Sequence, residues 1–272
     1  MGLLLSFSVE LWAFVPRGLG RPRSRVPRCD SIAERTLLRQ SFVREWSSMF
    51  SELEASPACV AVLCGVTRGG NLGAVLRSCA LLGIPFVLAL GGVSEADVDR
   101  ALWSSQLLRR PGWKVSLAVP PPEELPVVDA MAKLRSMGFP LLGVTAHKDG
   151  ATDLWDANLV APRLALVFGE EADGIPSEVM PLLQRAVTIP MEVAGDEGSL
   201  NLSHAVSLVA YERRRQRERH QQQQLAGVGE RLAHVRPQLA RGTASPQMPK
   251  RSQPATPTPG ESKASTPRRR PA

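Results

Sequence analysis

From Pro57 to about residue 190, short apolar runs alternate with longer stretches whose apolar positions recur every three or four residues. Short runs of that kind suit buried strands, and the longer period suits amphipathic helices. The strands are expected at Val60–Cys64, Phe86–Leu90, Val115–Val119, Leu141–Thr145, Leu164–Phe168 and Val187–Pro190. Helices are expected between and after them, at about Leu72–Leu82, Ala96–Leu108, Pro126–Met137, Ser177–Leu183 and Leu200–Arg219. Alternation of this type argues an α/β fold with a mostly parallel sheet flanked by helices. The Pro120-Pro121-Pro122 triplet reads as a sharp linker, because the alternation resumes directly after it. Upstream, residues 31–56 form a helical extension, with apolar residues at helical spacing and a Ser31/Glu34 capping pair. Beyond Leu225 the periodicity stops in favour of Pro, Ser, Thr, Gln and Arg, and residues 221–272 are expected to form a disordered basic tail.

Charge divides the 272 residues in the same way. Residues 1–29 carry five Arg and one Glu, and residues 213–272 carry 14 Lys or Arg against three acids. With +4 and +11 in the two ends and +7 overall, residues 30–212 carry −8. The basic pI of 9.8 therefore belongs to the ends, and the folded body is acidic. Residues 1–30, arginine-rich and acid-poor, suit an organelle transit peptide. The expected location is intracellular: mitochondrion or plastid if that segment is a leader, otherwise cytoplasm. Glu10 interrupts the one apolar stretch there, which is far short of the ~20 residues a membrane span requires. Met1-Gly2 with Ser6 also satisfies the loose myristoylation pattern.

Several cofactor classes are disfavoured. Neither the Gly-x-Gly-x-x-Gly fingerprint of dinucleotide sites nor a Walker A loop occurs in the chain. Cys29, Cys59, Cys64 and Cys79 form no Cys-x-x-Cys pair, and the expected reading is structural thiols and no metal.

Three blocks share the order strand, glycine-bearing loop, helix. They are Asn71-Leu-Gly-Ala-Val-Leu-Arg-Ser-Cys-Ala80, then Leu166-Val-Phe-Gly-Glu-Glu-Ala-Asp-Gly-Ile-Pro176, then the stretch from Val187 through Ser199-Leu-Asn-Leu-Ser203 into a helix. Ser199 is a ready N-cap, and free N–H groups at a helix start favour a polar or anionic ligand. In this order the blocks resemble the three signature motifs of the SpoU/TrmH-type RNA 2'-O-ribose methyltransferases of the SPOUT class, over roughly residues 58–213. The resemblance implies a SPOUT-type sheet with a C-terminal trefoil knot, S-adenosyl-L-methionine as cofactor, tRNA or rRNA as substrate, and a homodimer, without membrane or metal. A methyltransferase domain at 57–220 follows, and 31–56 is too short for a separate RNA-binding domain, so it either covers the core or lies against RNA.

The same resemblance assigns the site. Arg77 takes the catalytic role, with Asn71 orienting it and Glu171 holding the RNA-facing loop, and Ser199 and Asn201 form the polar pair near the transferred methyl. The cofactor-binding residues it implies are Thr145, Gly169, Gly174, Ile189, Met191 and Leu200. A guanidinium holds its proton far above neutral pH, which disfavours Arg77 as a base on the 2'-hydroxyl. Positioning a phosphate and stabilising a developing alkoxide require no deprotonation. Ala172 stands where the family has glycine, and the 193–198 loop is longer than the family pattern. His204 reads as a helix-face residue. A catalytically retired RNA-binding or ribosome-assembly protein with the same fold is the alternative, against which stands the presence of all five polar site residues.

Overall fold

The computed structural model describes residues 36, 39–66, 69–107, 112–147, 150–171, 173–192 and 198–241, with side chains to 227. Its elements are α1 (Trp46–Ala55), β1 (Cys59–Cys64), α2 (Gly69–Leu82), β2 (Phe86–Leu90), α3 (Glu95–Ser104), β3 (Ser116–Ala118), α4 (Val127–Ser136), β4 (Leu141–Thr145), β5 (Ala151–Asp153), β6 (Leu164–Phe168), a 3-10 turn at Met180–Leu182, β7 (Arg185–Thr188) and α5 (Leu202–Arg241). The seven strands form one sheet in the order β3-β2-β1-β6-β4-β7-β5, with every neighbouring pair parallel.

A parallel sheet buried on both faces needs strands that are apolar throughout, and here β1 (CVAVLC) and β6 (LALVF) are buried at every position. Alternate residues then serve opposite layers. Ala61 and Leu63 join Leu72, Val75 and Leu76 of α2 and Val206 and Val209 of α5 on one face. Val60, Val62 and Cys64 meet Met49, Phe50 and Leu53 of α1 and Met131 and Leu134 of α4 on the other. The upstream extension thus covers the core. Phe42 enters the first layer, and Val43 makes a parallel bridge to Leu117 of β3.

The strand order positions the site. From β1 the chain winds outward through β2 to β3, then crosses to build β4, and β6 inserts between β1 and β4. The carboxyl ends of β1 and β6 therefore lie side by side with their following loops diverging, the place where open α/β sheets bind ligands.

The structure corrects several boundaries. Helix α2 begins at Gly69, three residues before the expected Leu72, so Asn71 lies inside the helix. β7 occupies Arg185–Thr188, leaving Ile189 and Pro190 beyond the strand. The 177–183 helix reduces to the 3-10 turn, because Pro176 and Pro181 leave too short a segment for i to i−4 bonding. β5 was not expected: three residues on the sheet edge carry no alternation to read. The last helix starts at Leu202, not Leu200, and runs through Arg219 to Arg241. The expectation of disorder from residue 221 does not hold over 221–241. The segment 211–224 contains neither Gly nor Pro, is rich in the strong helix formers Arg, Glu and Gln, and carries the i,i+4 pair Arg214–Glu218 at 2.9 Å. Two compact units divide within this helix: Met1–Gln222, and Gln223–Ala272, of which the described part is helical. Residues 1–35, with the expected transit segment and the Ser31/Glu34 pair, and residues 242–272 lie outside the described residues. Among the described residues no helix is long and apolar enough to cross a membrane.

Candidate active site

Glycine geometry shapes the loops at the carboxyl ends. Gly65 follows β1 and Gly174 closes the β6 loop, both in left-handed backbone at φ +81° and +69°. The β6 loop is pinned by reciprocal backbone bonds between Glu170 and Gly174, Glu170 N–H to Gly174 O at 3.0 Å and Gly174 N–H to Glu170 O at 2.9 Å. Gly169 faces this turn so closely that a Cβ would overlap the Gly174 carbonyl and the Ile175 nitrogen. Only glycine permits that approach. Ala172 lies outside the described residues, so the departure from the family glycine there has no structural reading.

The turn presents Glu171, whose Oε1 accepts three hydrogen bonds: from Asn71 Nδ2 at 2.7 Å, from Asn201 Nδ2 at 2.7 Å, and from the Leu202 backbone N–H at 3.3 Å. Asn201 Nδ2 also reaches Asn71 Oδ1 at 3.1 Å. Residues 100 and 30 apart in sequence are thereby joined through one carboxylate oxygen. Asn201 works at both ends. Its Oδ1 accepts from Ser203 N–H at 2.9 Å and Ser203 Oγ at 2.6 Å, so it is the N-cap of α5. That displaces Ser199, which was expected in this role and instead stands two residues before the cap, exposed at the rim of a cavity. Glu171 sits against the first free N–H groups of the helix, where negative charge is favoured.

The cavity, of about 230 Å³, opens beside this cluster. Thr145, Gly169, Gly174, Ile189, Met191 and Leu200 all line it, together with Glu171 and Ser199. Val144, Phe168, Ile175 and Leu202 complete its apolar wall, which sequence reasoning had not named. Glu170, Glu171 and Asp173 make one edge acidic, and no Lys or Arg is among the described lining residues. Such a site disfavours phosphate-bearing ligands and suits a flat apolar group joined to a positive centre.

Arg77 stands apart. It is exposed on α2, ~9 Å along the axis from Asn71, and its guanidinium carbon lies 5.6 Å from the ring centroid of Trp113. The hydrogen bonds that tie the cluster do not include it. His204 is exposed on the first turn of α5, as expected for a helix-face residue. The 193–197 part of the long loop lies outside the described residues.

The described cysteines take no part. Burial pushes the Cys59 thiol up to about 11 despite the neighbouring Arg213 guanidinium, and pushes Cys64 up to about 12 with help from the charge of Glu178. Cys79 is pushed up as well, again by burial. All three are free, buried and protonated at neutral pH. Among the described residues no group of His, Cys, Asp and Glu is disposed to hold a metal ion.

The chain is 31% identical over 153 residues to a 23S rRNA (uridine(2479)-2'-O)-methyltransferase of Streptomyces viridochromogenes, covering 56% of this chain and 50% of that protein. It is 30% identical over 167 residues to a tRNA (guanosine(18)-2'-O)-methyltransferase of Thermus thermophilus, covering 59% and 76%. Among solved structures, one from Porphyromonas gingivalis assigned to the TrmH family of RNA methyltransferases superposes with a TM-score of 0.51 at 26% identity, over 59% of this chain and 61% of the other. The chain spans about half the length of the Streptomyces relative it matches. The SpoU rRNA methylase family model matches residues 58–211, which contain every site residue described above, and the chain belongs to that family.

Proposed function

We propose that this protein transfers a methyl group from S-adenosyl-L-methionine to a ribose 2'-hydroxyl of tRNA or rRNA. The observation that carries the reading is the Asn71–Glu171–Asn201 cluster, whose Glu171 lines an apolar, acid-edged cavity at the carboxyl ends of β4, β6 and β7. S-adenosylmethionine joins a flat adenine to a sulfonium cation, and the cavity residues fit both parts. Ile189, Met191 and Leu200 would hold the adenine and ribose, and the acidic edge would lie toward the positive sulfur. When bound, it supplies an electrophilic methyl group.

The chain's own residues do the rest. Glu171 fixes the two asparagine amides; Asn201, with both donors and both lone pairs engaged, holds the cluster, and Asn71 retains one amide N–H and one lone pair to orient a hydroxyl. Arg77 meets the RNA phosphate and stabilises negative charge developing on the ribose oxygen, and its plane and charge suit a bidentate phosphate contact. The test is nucleoside mass spectrometry of tRNA and rRNA from cells lacking the protein. Loss of one 2'-O-methylated nucleotide is expected, and a full set of such nucleotides supports the retired RNA-binding protein instead. Calorimetry with S-adenosylhomocysteine tests the cofactor separately, and no heat at millimolar ligand removes it.

The reading includes a C-terminal trefoil knot and a homodimer. Leu208, Tyr211 and His204 lie exposed along one stripe of α5, and exposed Leu81 of α2 adjoins it, its carbonyl accepting from Arg214 Nη1 at 3.1 Å. That apolar stripe supports the pairing of two copies. Light scattering at micromolar concentration should give twice the chain mass, and Leu208→Glu with Tyr211→Glu should halve it. Import of a reporter fused to residues 1–30 tests the organelle proposal, with cytoplasmic retention of the reporter counting against it.

A further inference from the structure

Arg77 is exposed, long and flexible, yet the chemistry proposed for it requires a held orientation. Helix α2 alone does not supply one, since a side chain with four rotatable bonds on an exposed face samples many rotamers. The structure supplies it from another element. Trp113, just before β3, packs one side against the core layer of α2 and α3 and is only partly exposed. Over its ring lies the Arg77 guanidinium, 5.6 Å from carbon to centroid. That distance is within the range in which a cation and an indole attract, and indole is the strongest such partner among the side chains.

We propose that Trp113 is a positioning residue for Arg77: a core-anchored aromatic platform that fixes the guanidinium plane so that its in-plane N–H edge is presented to an RNA phosphate. The proposal rests on the reading of Arg77 as the RNA-facing cation of a methyltransferase. The two faces of a guanidinium divide the work. Its π face is satisfied by the indole, which accepts no hydrogen bond, so all five N–H donors remain for oxygen ligands. Holding the plane before RNA arrives reduces the rotamer freedom lost on binding, and so favours the bidentate contact. A lysine in place of Arg77 would keep the charge and an attraction to the ring, and would lose the planar fork.

The experiment uses full-length protein, radiolabelled S-adenosylmethionine, and bulk tRNA and bulk rRNA from cells lacking the protein. Trp113→Leu is expected to lower kcat at saturating RNA by about tenfold, the scale of a misplaced reacting group. Trp113→Phe should recover to within about threefold, since phenylalanine keeps a weaker π face. Affinity for S-adenosylhomocysteine should not change in either. On an Arg77→Met background, where no cation faces the ring, Trp113→Leu should have no further effect on residual activity or RNA affinity, because the interaction it removes is already absent. An equal loss on both backgrounds overturns the proposal, since it would mark a purely structural tryptophan.

Should Trp113→Leu fail to fold, tryptophans bearing one, two or three fluorines, inserted at position 113 alone, decide the matter with the shape nearly preserved. Activity should fall stepwise with fluorine number as the ring quadrupole weakens, and a flat series overturns the proposal. If the wild-type protein methylates neither RNA pool, the methyltransferase reading fails on its own. The fluorine series is then read on RNA affinity, where a stepwise fall supports the platform and a flat response sinks it.

Discussion

At the scale of single residues, Glu171 and Gly169 separate chemistry from packing. Glu171→Gln keeps an acceptor oxygen for Asn71, Asn201 and the Leu202 N–H, and removes the charge that strengthens all three contacts. Methyl transfer should fall roughly ten- to a hundredfold, with the melting temperature almost unchanged because Glu171 is exposed; comparing kcat/KM with a thermal melt reads both. Gly169→Ala should lower stability and cofactor binding together. Its Cβ has only backbone to push against, so the 170–174 turn must open, at about 1–3 kcal/mol and with loss of S-adenosylhomocysteine binding by calorimetry. Gly143→Ala is the control, since its Cβ would meet the flexible end of Leu183 and should be tolerated better. The thiols give a pH dependence. Cys59 and Cys64 hold their protons to about 11 and about 12 in the fold, whereas free thiols ionise near 8.5. A raised thiol pKa stabilises the fold below the free-thiol range, and that stabilisation is lost as pH rises from about 9 toward those values. Urea midpoints should therefore decline between pH 8 and pH 10, and less steeply in a Cys59→Ala, Cys64→Ala double variant.

At the scale of elements, α5 carries both an end of the site and a wall of the core, and Asn201 is where the two meet. Asn201→Ser preserves an N-cap oxygen for the Ser203 N–H and deletes the amide that bonds Glu171 and Asn71. Stability should stay within about 0.5 kcal/mol of wild type while activity is lost, whereas Asn201→Ala should lose activity and about 1 kcal/mol as well. Chemical denaturation with a methylation assay on the same samples distinguishes them. If Asn201→Ser is fully active, the cluster has only a structural role. The parallel sheet makes such division of labour workable: β1 and β6 are buried end to end and hold the loops that follow them, so a change of side chain in a loop leaves the strands unmoved.

At the scale of the whole molecule, the issue is how an acidic body meets a polyanion. Residues 30–212 carry −8, and the net positive charge lies in the ends of the chain. Residues 223–272, the second compact unit, hold nine Lys or Arg against two acids, a net +7, and the part to Arg241 is helical. We propose that this unit adds phosphate contacts to those the body makes. Truncation after Gln222 keeps the Arg213–Arg219 cluster, so RNA binding should weaken without vanishing, and the dependence of log affinity on log salt should become shallower. Affinity for S-adenosylhomocysteine should not change. Equal salt slopes for truncated and full-length protein would show that the unit makes no phosphate contacts.

What the chain determines by itself is what short-range pattern can encode. β2, β4 and β6 are legible to the residue, because buried parallel strands are continuous apolar runs bounded by polar turns. Thr145, Gly169, Gly174, Ile189, Met191 and Leu200, which the family resemblance implies as cofactor-binding residues, line one cavity, while its acidic edge is not read from the sequence. Tertiary structure decided the rest. β5 exists only because β7 offers it an edge to pair with, and α5 starts at Leu202 because Asn201, not Ser199, is placed to cap it. The partners of Glu171 lie on segments 100 and 30 residues away, and no spacing rule predicts which oxygen they share. Arg77 was named from its motif, but its platform was not. Trp113 lies 36 positions later, before an edge strand, and only the core layer that α2 shares with β2 and β3 brings the guanidinium over the indole.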